Sequence, residues 1–235
     1  MKNLPPVHYL LILIVLCATL GCKKSNSAQP STPFIYGTLN AWMAGTSIDS
    51  GGAGYYEWAD AVFYDSSNAN SAIDVGNIVV NGNDTTLQFP YNQQVGVDYK
   101  FENGVRWDMP ATAKWPAFSF STQGSFPFYK GNIPDTIDAL NGVSFNVSNA
   151  ITNNADSVKI TIVNNVGQVY ITCEGNETAR FTSESLEFLS NNSSGYNFLT
   201  VNIIVQASKF DYQIVNGKKF QFIRTYEKSG KAYLR

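Results

Sequence analysis

The residue types that most often carry catalysis are scarce in this chain. Its one histidine, His8, sits at the start of an N-terminal apolar segment, and the body from residue 34 onward has none. That excludes a triad with a histidine base, histidine-ligated zinc and histidine general acid/base chemistry. Of the three cysteines, Cys17 and Cys22 fall in or just after the N-terminal apolar run. Cys173 lies in QVYITCEG, where Val169, Ile171 and Cys173 share one face at period two, so it reads as a core thiol rather than a nucleophile. It has no partner within the body, which must therefore fold without disulfides. The carboxylates Glu57, Asp60, Glu102 and Asp108 are the candidates for a glycoside-hydrolysing pair. Such a pair needs two carboxyl groups about 5 to 10 Å apart across a cleft.

Aromatic residues are the second chemistry-bearing set. Between positions 34 and 129 there are 19 Phe, Tyr and Trp, against 12 from 130 onward, and all four tryptophans are in the first group. Tyr55, Tyr56, Glu57 and Trp58 follow the glycine-rich SGGAG, and Trp107-Asp108 lies close to Trp115. Tyr55, Tyr56, Trp58, Trp107 and Trp115 are the candidates for a sugar platform, in which ring faces stack on pyranose C–H groups while Asp, Asn or Gln bind hydroxyls. The competing role is plain packing, since aromatic rings routinely fill β cores. Adjacent residues of a strand point to opposite faces, so Tyr55 and Tyr56 cannot both enter one core. By the same alternation Trp58, Asp60 and Val62 share a face opposite Ala59, Ala61 and Phe63, and the carboxylate tips the Trp58 face toward solvent.

Other motifs are weaker. The oxygen-rich stretches 65–74 (DSSNANSAID) and 81–84 (NGND) do not fit the ligand spacing of a calcium loop and read as turns. GTSIDSGGAG lacks the lysine and following helix of a phosphate-binding loop. No cofactor and no metal is implied. Asp84-Thr85-Thr86, Asp135-Thr136-Ile137 and Asp156-Ser157-Val158 resemble the three-residue acceptor pattern for O-glycosylation of secreted proteins in some Gram-negative bacteria. Without Lys2 the chain carries 15 basic against 18 acidic residues, which removes the electrostatic case for nucleic acid.

The elements that must position these residues are β-strands. Short runs rich in Val, Ile, Thr and aromatics alternate with Gly, Asn, Asp and Ser clusters: 34–42, 58–64, 77–80, 85–89, 97–107, 118–121, 143–147, 157–163, 166–173, 179–182, 198–206, 218–225 and 232–234. The stretch 158–173 is the clearest hairpin, and Asn216-Gly217 predicts another. One helical turn is expected at 183–189, capped by Ser183 and sealing an edge with Leu186 and Leu189. Regular short strands with no long amphipathic helix predict an all-β fold. The expected arrangement is two tandem β-sandwich domains, an aromatic-rich one at 34–130 and an immunoglobulin-like one at 131–235. One larger sandwich in which the two halves share sheets is the alternative.

Ahead of the body, positions 10–22 read LLILIVLCATLGC. The run is too short for a membrane span, which needs about 20 apolar residues, and has the length of a signal-peptide core. Gly21 immediately before Cys22 resembles the type II signal peptide of bacterial lipoproteins. That resemblance implies removal of residues 1–21 and acylation of Cys22, leaving 22–33 as a lipidated polar tether, with the protein anchored in the cell envelope. Lys23 in place of the aspartate that retains such proteins in the inner membrane favours the outer membrane. The strand pattern also resembles uncharacterised β-sandwich lipoproteins of Gram-negative cell surfaces. The expected function is a non-enzymatic binding or adhesion module for a glycan or another envelope protein. The alternatives are a carboxylate-based glycoside hydrolase and a structural envelope lipoprotein without ligand.

Overall fold

The structure, a computed structural model, describes residues 34–45, 55–65, 71–82, 86–92, 97–112, 115–122, 124–175, 177–190 and 199–235. The N-terminal apolar run, Cys22, the tether and the Asp84-Thr85 pair lie outside these residues, as does the side chain of Tyr55. The described strands in chain order are β1 (Ile35–Gly45), β2 (Tyr55–Phe63), β3 (Val79–Val80), β4 (Arg106–Met109), β5 (Phe118–Ser121) and β6 (Thr136–Ile137). They continue with β7 (Val143–Asn146), β8 (Ser157–Val163), β9 (Gln168–Cys173), β10 (Thr178–Phe181), β11 (Leu199–Val215) and β12 (Lys218–Leu234). A single α-helix among the described residues, α1 (Ser183–Ser190), lies between β10 and β11. The chain is all-β, with a sandwich-type architecture.

Strands β11 and β12 set the frame. Each is 17 residues long, and they pair antiparallel along their whole length, Leu199 opposite Leu234 and Val215 opposite Lys218. The turn between them is the expected Asn216-Gly217, with φ of 49° and 76°. A two-residue hairpin turn that follows strand twist requires positive φ at both positions, which Asn and Gly tolerate. Around this hairpin the long sheet runs β2-β1-β12-β11-β8-β9, and β6 pairs with the far end of β12. β1 joins β12 in parallel, from Ile35 beside Lys219 to Gly45 beside Lys228, and β2 then pairs antiparallel with β1.

Alternation gives this sheet two unlike faces. Leu39, Ala41 and Met43 of β1, Ala59, Ala61 and Phe63 of β2, and Phe220, Phe222 and Tyr226 of β12 are buried on its inner face. The small sheet β3-β4-β5 covers that face at one place, laying Phe118 and Phe120 on Phe220 and Phe222 with ring centroids 4.9 and 3.7 Å apart. The pair β7 and β10 brings together Phe145 and Phe181. α1 buries Leu186 and Leu189, as its spacing predicts, but its first-turn cap is Thr182, whose Oγ1 accepts from the Ser185 N–H at 3.4 Å, rather than Ser183. Gly37 is required where β1 passes the core, because a Cβ there would come within 2.6 Å of Phe63 and 2.9 Å of Phe220.

The inner face also holds a buried cation. Arg224, 2 % exposed, donates from Nη1 to the carbonyls of Gly124 and Ser125 at 2.6 and 3.0 Å and from Nη2 to Asp211 at 3.0 Å. It ties the loop after β5 to the centre of the sheet.

These contacts correct the expected division at 130. β1 and β2 come from the first half, yet they extend a sheet whose other members come from the second, and Phe34–Arg235 is one compact unit. The 131–235 segment is therefore not an independent immunoglobulin-like sandwich. The first half's aromatic rings cover Phe220 and Phe222 of the second, so neither half closes a core alone. The alternative in which the halves share sheets describes the arrangement.

Candidate functional site

The outer face of the long sheet carries the chemistry. On β2 the residues that alternate with buried Ala59, Ala61 and Phe63 are Tyr56, Trp58, Asp60 and Val62, as the sequence pattern predicts. Opposite them on β1 stand Ala44, Trp42, Asn40 and Thr38, paired in register. Trp42 and Trp58 are direct cross-strand partners, and their indoles stack with centroids 5.4 Å apart and planes within 8°. Both are half-buried, while Tyr56, two residues along β2, is 62 % exposed. One step the other way, the Asn40 amide donates to the Asp60 carboxylate. Burial raises the Asp60 carboxyl above its ordinary range, against the opposing pull of Asn40 and the neighbouring Trp42 indole.

The strip continues across β12 and β11. Trp42 is in register with Thr225, and Thr225 with Ser208, the two hydroxyls 2.9 Å apart. Thr225 is buried although it faces outward, so it forms the floor between taller side chains. Beside it the Gln206 amide donates to Glu227 at 2.9 Å, and Phe210 faces Ile223. The result is a band of half-buried rings, with Tyr56 exposed at one end and carboxylates, amides and hydroxyls between them.

Other residues expected at a platform lie elsewhere. Trp107 on β4 is fully buried, and Trp115, 2 % exposed, packs edge-on against Phe220 at 5.6 Å beneath the inner face. Trp107 is core because the small sheet that carries it presents its apolar side to β12, and Trp115, in the connection between β4 and β5, packs against the same strand. Trp42 was not among the sequence candidates. Its strand was legible, but its place beside Trp58 depends on the β1–β2 register, which no local pattern in either strand specifies.

The four acids do not converge as a pair on this face. Glu57 alternates with Trp58 and points inward, where its carboxylate accepts the Phe101 N–H at 2.9 Å. Burial is the main cause that raises the Glu57 carboxyl, and nearby Glu102 adds to the rise. Glu57 and Asp60 therefore occupy opposite faces of β2. Asp108 is held by Arg106, with Nε at 2.9 Å, and by the Ser119 hydroxyl, and the guanidinium keeps its carboxyl below the usual range.

Asp108 and Arg106 rim an open cleft of about 620 Å³ with Asn81, Tyr99, Lys100 and Thr122. Its aromatic ring, Tyr99, is buried and stacked on Phe101 at 5.1 Å, so it offers no free face to a sugar. Cys173 is half-buried at the end of β9, and burial pushes its thiol up, away from nucleophile chemistry. Among the described residues no cluster of His, Cys, Asp and Glu is arranged to hold a metal ion, and no helix is long and apolar enough to cross a membrane. No protein-family model, curated protein or solved structure matches this chain.

Proposed function

We propose that this chain is a non-enzymatic binding module of the cell envelope, held to the membrane by a lipid on Cys22, with the outer face of its long sheet as the binding surface and carbohydrate as the ligand class. The observation that carries the ligand assignment is the stacked Trp42–Trp58 pair beside exposed Tyr56 and the Asn40–Asp60 pair. Half-buried indoles that continue into an exposed tyrosine offer ring surface to a ligand. Hydrogen-bonding groups interleaved with the rings suit a ligand whose apolar C–H faces alternate with hydroxyls. The anchor assignment rests on the Gly21-Cys22 junction after the apolar run.

A glycan array probed with the body from Ser31 onward tests the ligand, and calorimetry on the strongest polysaccharide then compares wild type with Trp42→Ala and Trp58→Ala. Binding that is lost in folded variants supports the reading. An array with no binding, or binding unchanged in both variants, overturns it. For the anchor, the full chain should take up an alkynyl fatty acid and lose the label in Cys22→Ser.

A further inference from the structure

Both ends of the long hairpin expose an aliphatic and a tyrosine side chain, Ile214 and Tyr212 at the turn and Leu140 and Tyr233 at the other end, and it is the path of the chain that distinguishes them. β1 begins at Ile35, in register with Lys219, one residue beyond the first residue of β12. The chain toward Cys22 thus leaves beside the tip of the β11–β12 hairpin. On that tip Ile214 is 69 % exposed and Tyr212 49 % exposed. Lys219 lies over the Tyr212 ring at 4.1 Å, and Lys218 lies over Trp115 at 3.9 Å. Phe34, Tyr36 and Tyr64 cluster at the same end, with Phe34 and Tyr36 ring centroids 4.9 Å apart. Among the described residues Asp65 follows Tyr64 in the chain, and Asp211, which precedes Tyr212, is paired with Arg224.

We infer that this hairpin tip rests on the membrane, with Ile214 and Tyr212 entering the headgroup region and Lys218 and Lys219 facing anionic phospholipid. The inference rests on the lipid-anchored reading of Cys22. Chain length supports it. The eleven residues 23–33 reach at most about 40 Å when fully extended. The 17 residues of β12 span roughly 50 Å. Standing the body on its opposite end would lift Phe34 by that larger distance, beyond the reach of the tether. The tip is therefore the end that the anchor keeps near the bilayer. An aliphatic side chain and a tyrosine flanked by lysines match the interface, where apolar groups enter the acyl boundary and cations meet anionic headgroups.

The test uses the full chain, lipidated at Cys22, in a Cys173→Ala background with a fluorophore on Ile214→Cys or, at the opposite end, on Lys231→Cys. The protein is reconstituted into phosphatidylcholine vesicles with or without phosphatidylglycerol, doped with a lipid that carries a nitroxide on its headgroup. Quenching is expected at 214 and not at 231, and it should be stronger on the anionic vesicles. Lys218→Gln and Lys219→Gln, verified as folded by thermal melts, should each lower the docked-to-free ratio on anionic vesicles about fivefold. Equal quenching at the two positions in a lipidated protein overturns the docking alone. Dimers that dissociate in Ile214→Asp would overturn it by assigning the patch to a second copy. A chain that takes up no fatty acid overturns the anchor and the docking together.

Discussion

Trp58 and Trp107 are the same side chain on two β-strands, and the long sheet separates them. Trp107 lies under it, with no surface open to water, in the layer where Phe118 and Phe120 cover Phe220 and Phe222. Trp58 stands on the open face, covered on one side by Trp42 and otherwise half in solvent. The first ring is held in place by closing the core. The second is stacked on Trp42, and the carbohydrate-binding proposal assigns it a ligand-facing role. The comparison shows that burial, rather than residue type, decides which aromatic residues can carry function.

The largest expected effect is on the buried side. Trp107→Ala should cost about 3 to 5 kcal/mol in a denaturant melt, because the cavity cannot collapse within a packed core. A loss below about 1 kcal/mol would mean that the ring is not core and would erase the contrast. Arg224→Met should cost about 3 kcal/mol, since it leaves Asp211 unpaired and the Gly124 and Ser125 carbonyls without their donor. Trp58→Ala should cost about 2 kcal/mol, the lost aromatic pair together with the buried part of the ring, while removing carbohydrate binding. A collapse of the fold in that variant would place Trp58 with Trp107.

The carboxylates sharpen the comparison through pH. Glu57 and Asp60 have carboxyls raised by burial, so the folded state binds more protons than the unfolded one over the interval between their ordinary and raised values. Stability from this source is fully present below the ordinary values and is lost as pH rises through the raised ones. Asp108 and Asp138, both lowered, act in the opposite sense, and their contribution is lost as pH falls through the lowered values. The melting temperature should therefore decline on the alkaline side of the ordinary carboxylate range, and Asp60→Asn and Glu57→Gln should each flatten that decline. A decline unchanged in both variants would contradict the burial of the two groups. The smallest effect is expected at Cys173. Cys173→Ala should cost about 1 kcal/mol as a small, half-buried deletion, and reductant should leave the melting temperature unchanged.

Local pattern carried the all-β class and most strand positions, because a period of two and the turn residues between runs are properties of neighbours in the chain. β5 and β8 coincide with the expected 118–121 and 157–163, and the Asn216-Gly217 turn is where it was read. The orientation of Trp58 was also legible, since Asp60 and the Ala59-Ala61-Phe63 set mark the two faces of one strand. β11 and β12 run further than expected, through 207–215 and 226–231, where polar residues interrupt the apolar alternation. Ladder pairing between the two strands keeps them extended there, whatever the local propensity.

The sequence alone also decides what the body can use: no histidine outside the N-terminal segment, no second cysteine between residues 34 and 235, and a cysteine after the apolar run. Tertiary structure decided that β1 joins β12 in parallel and so merges the two halves into one unit. It also set Trp42 against Trp58 and buried Trp107 and Trp115. The physical reason is that alternation assigns each side chain to one of two faces without saying which face the rest of the chain will cover. That choice is made by register and by long-range packing, in which residues more than a hundred positions apart exclude water from one face of the sheet and leave the other open.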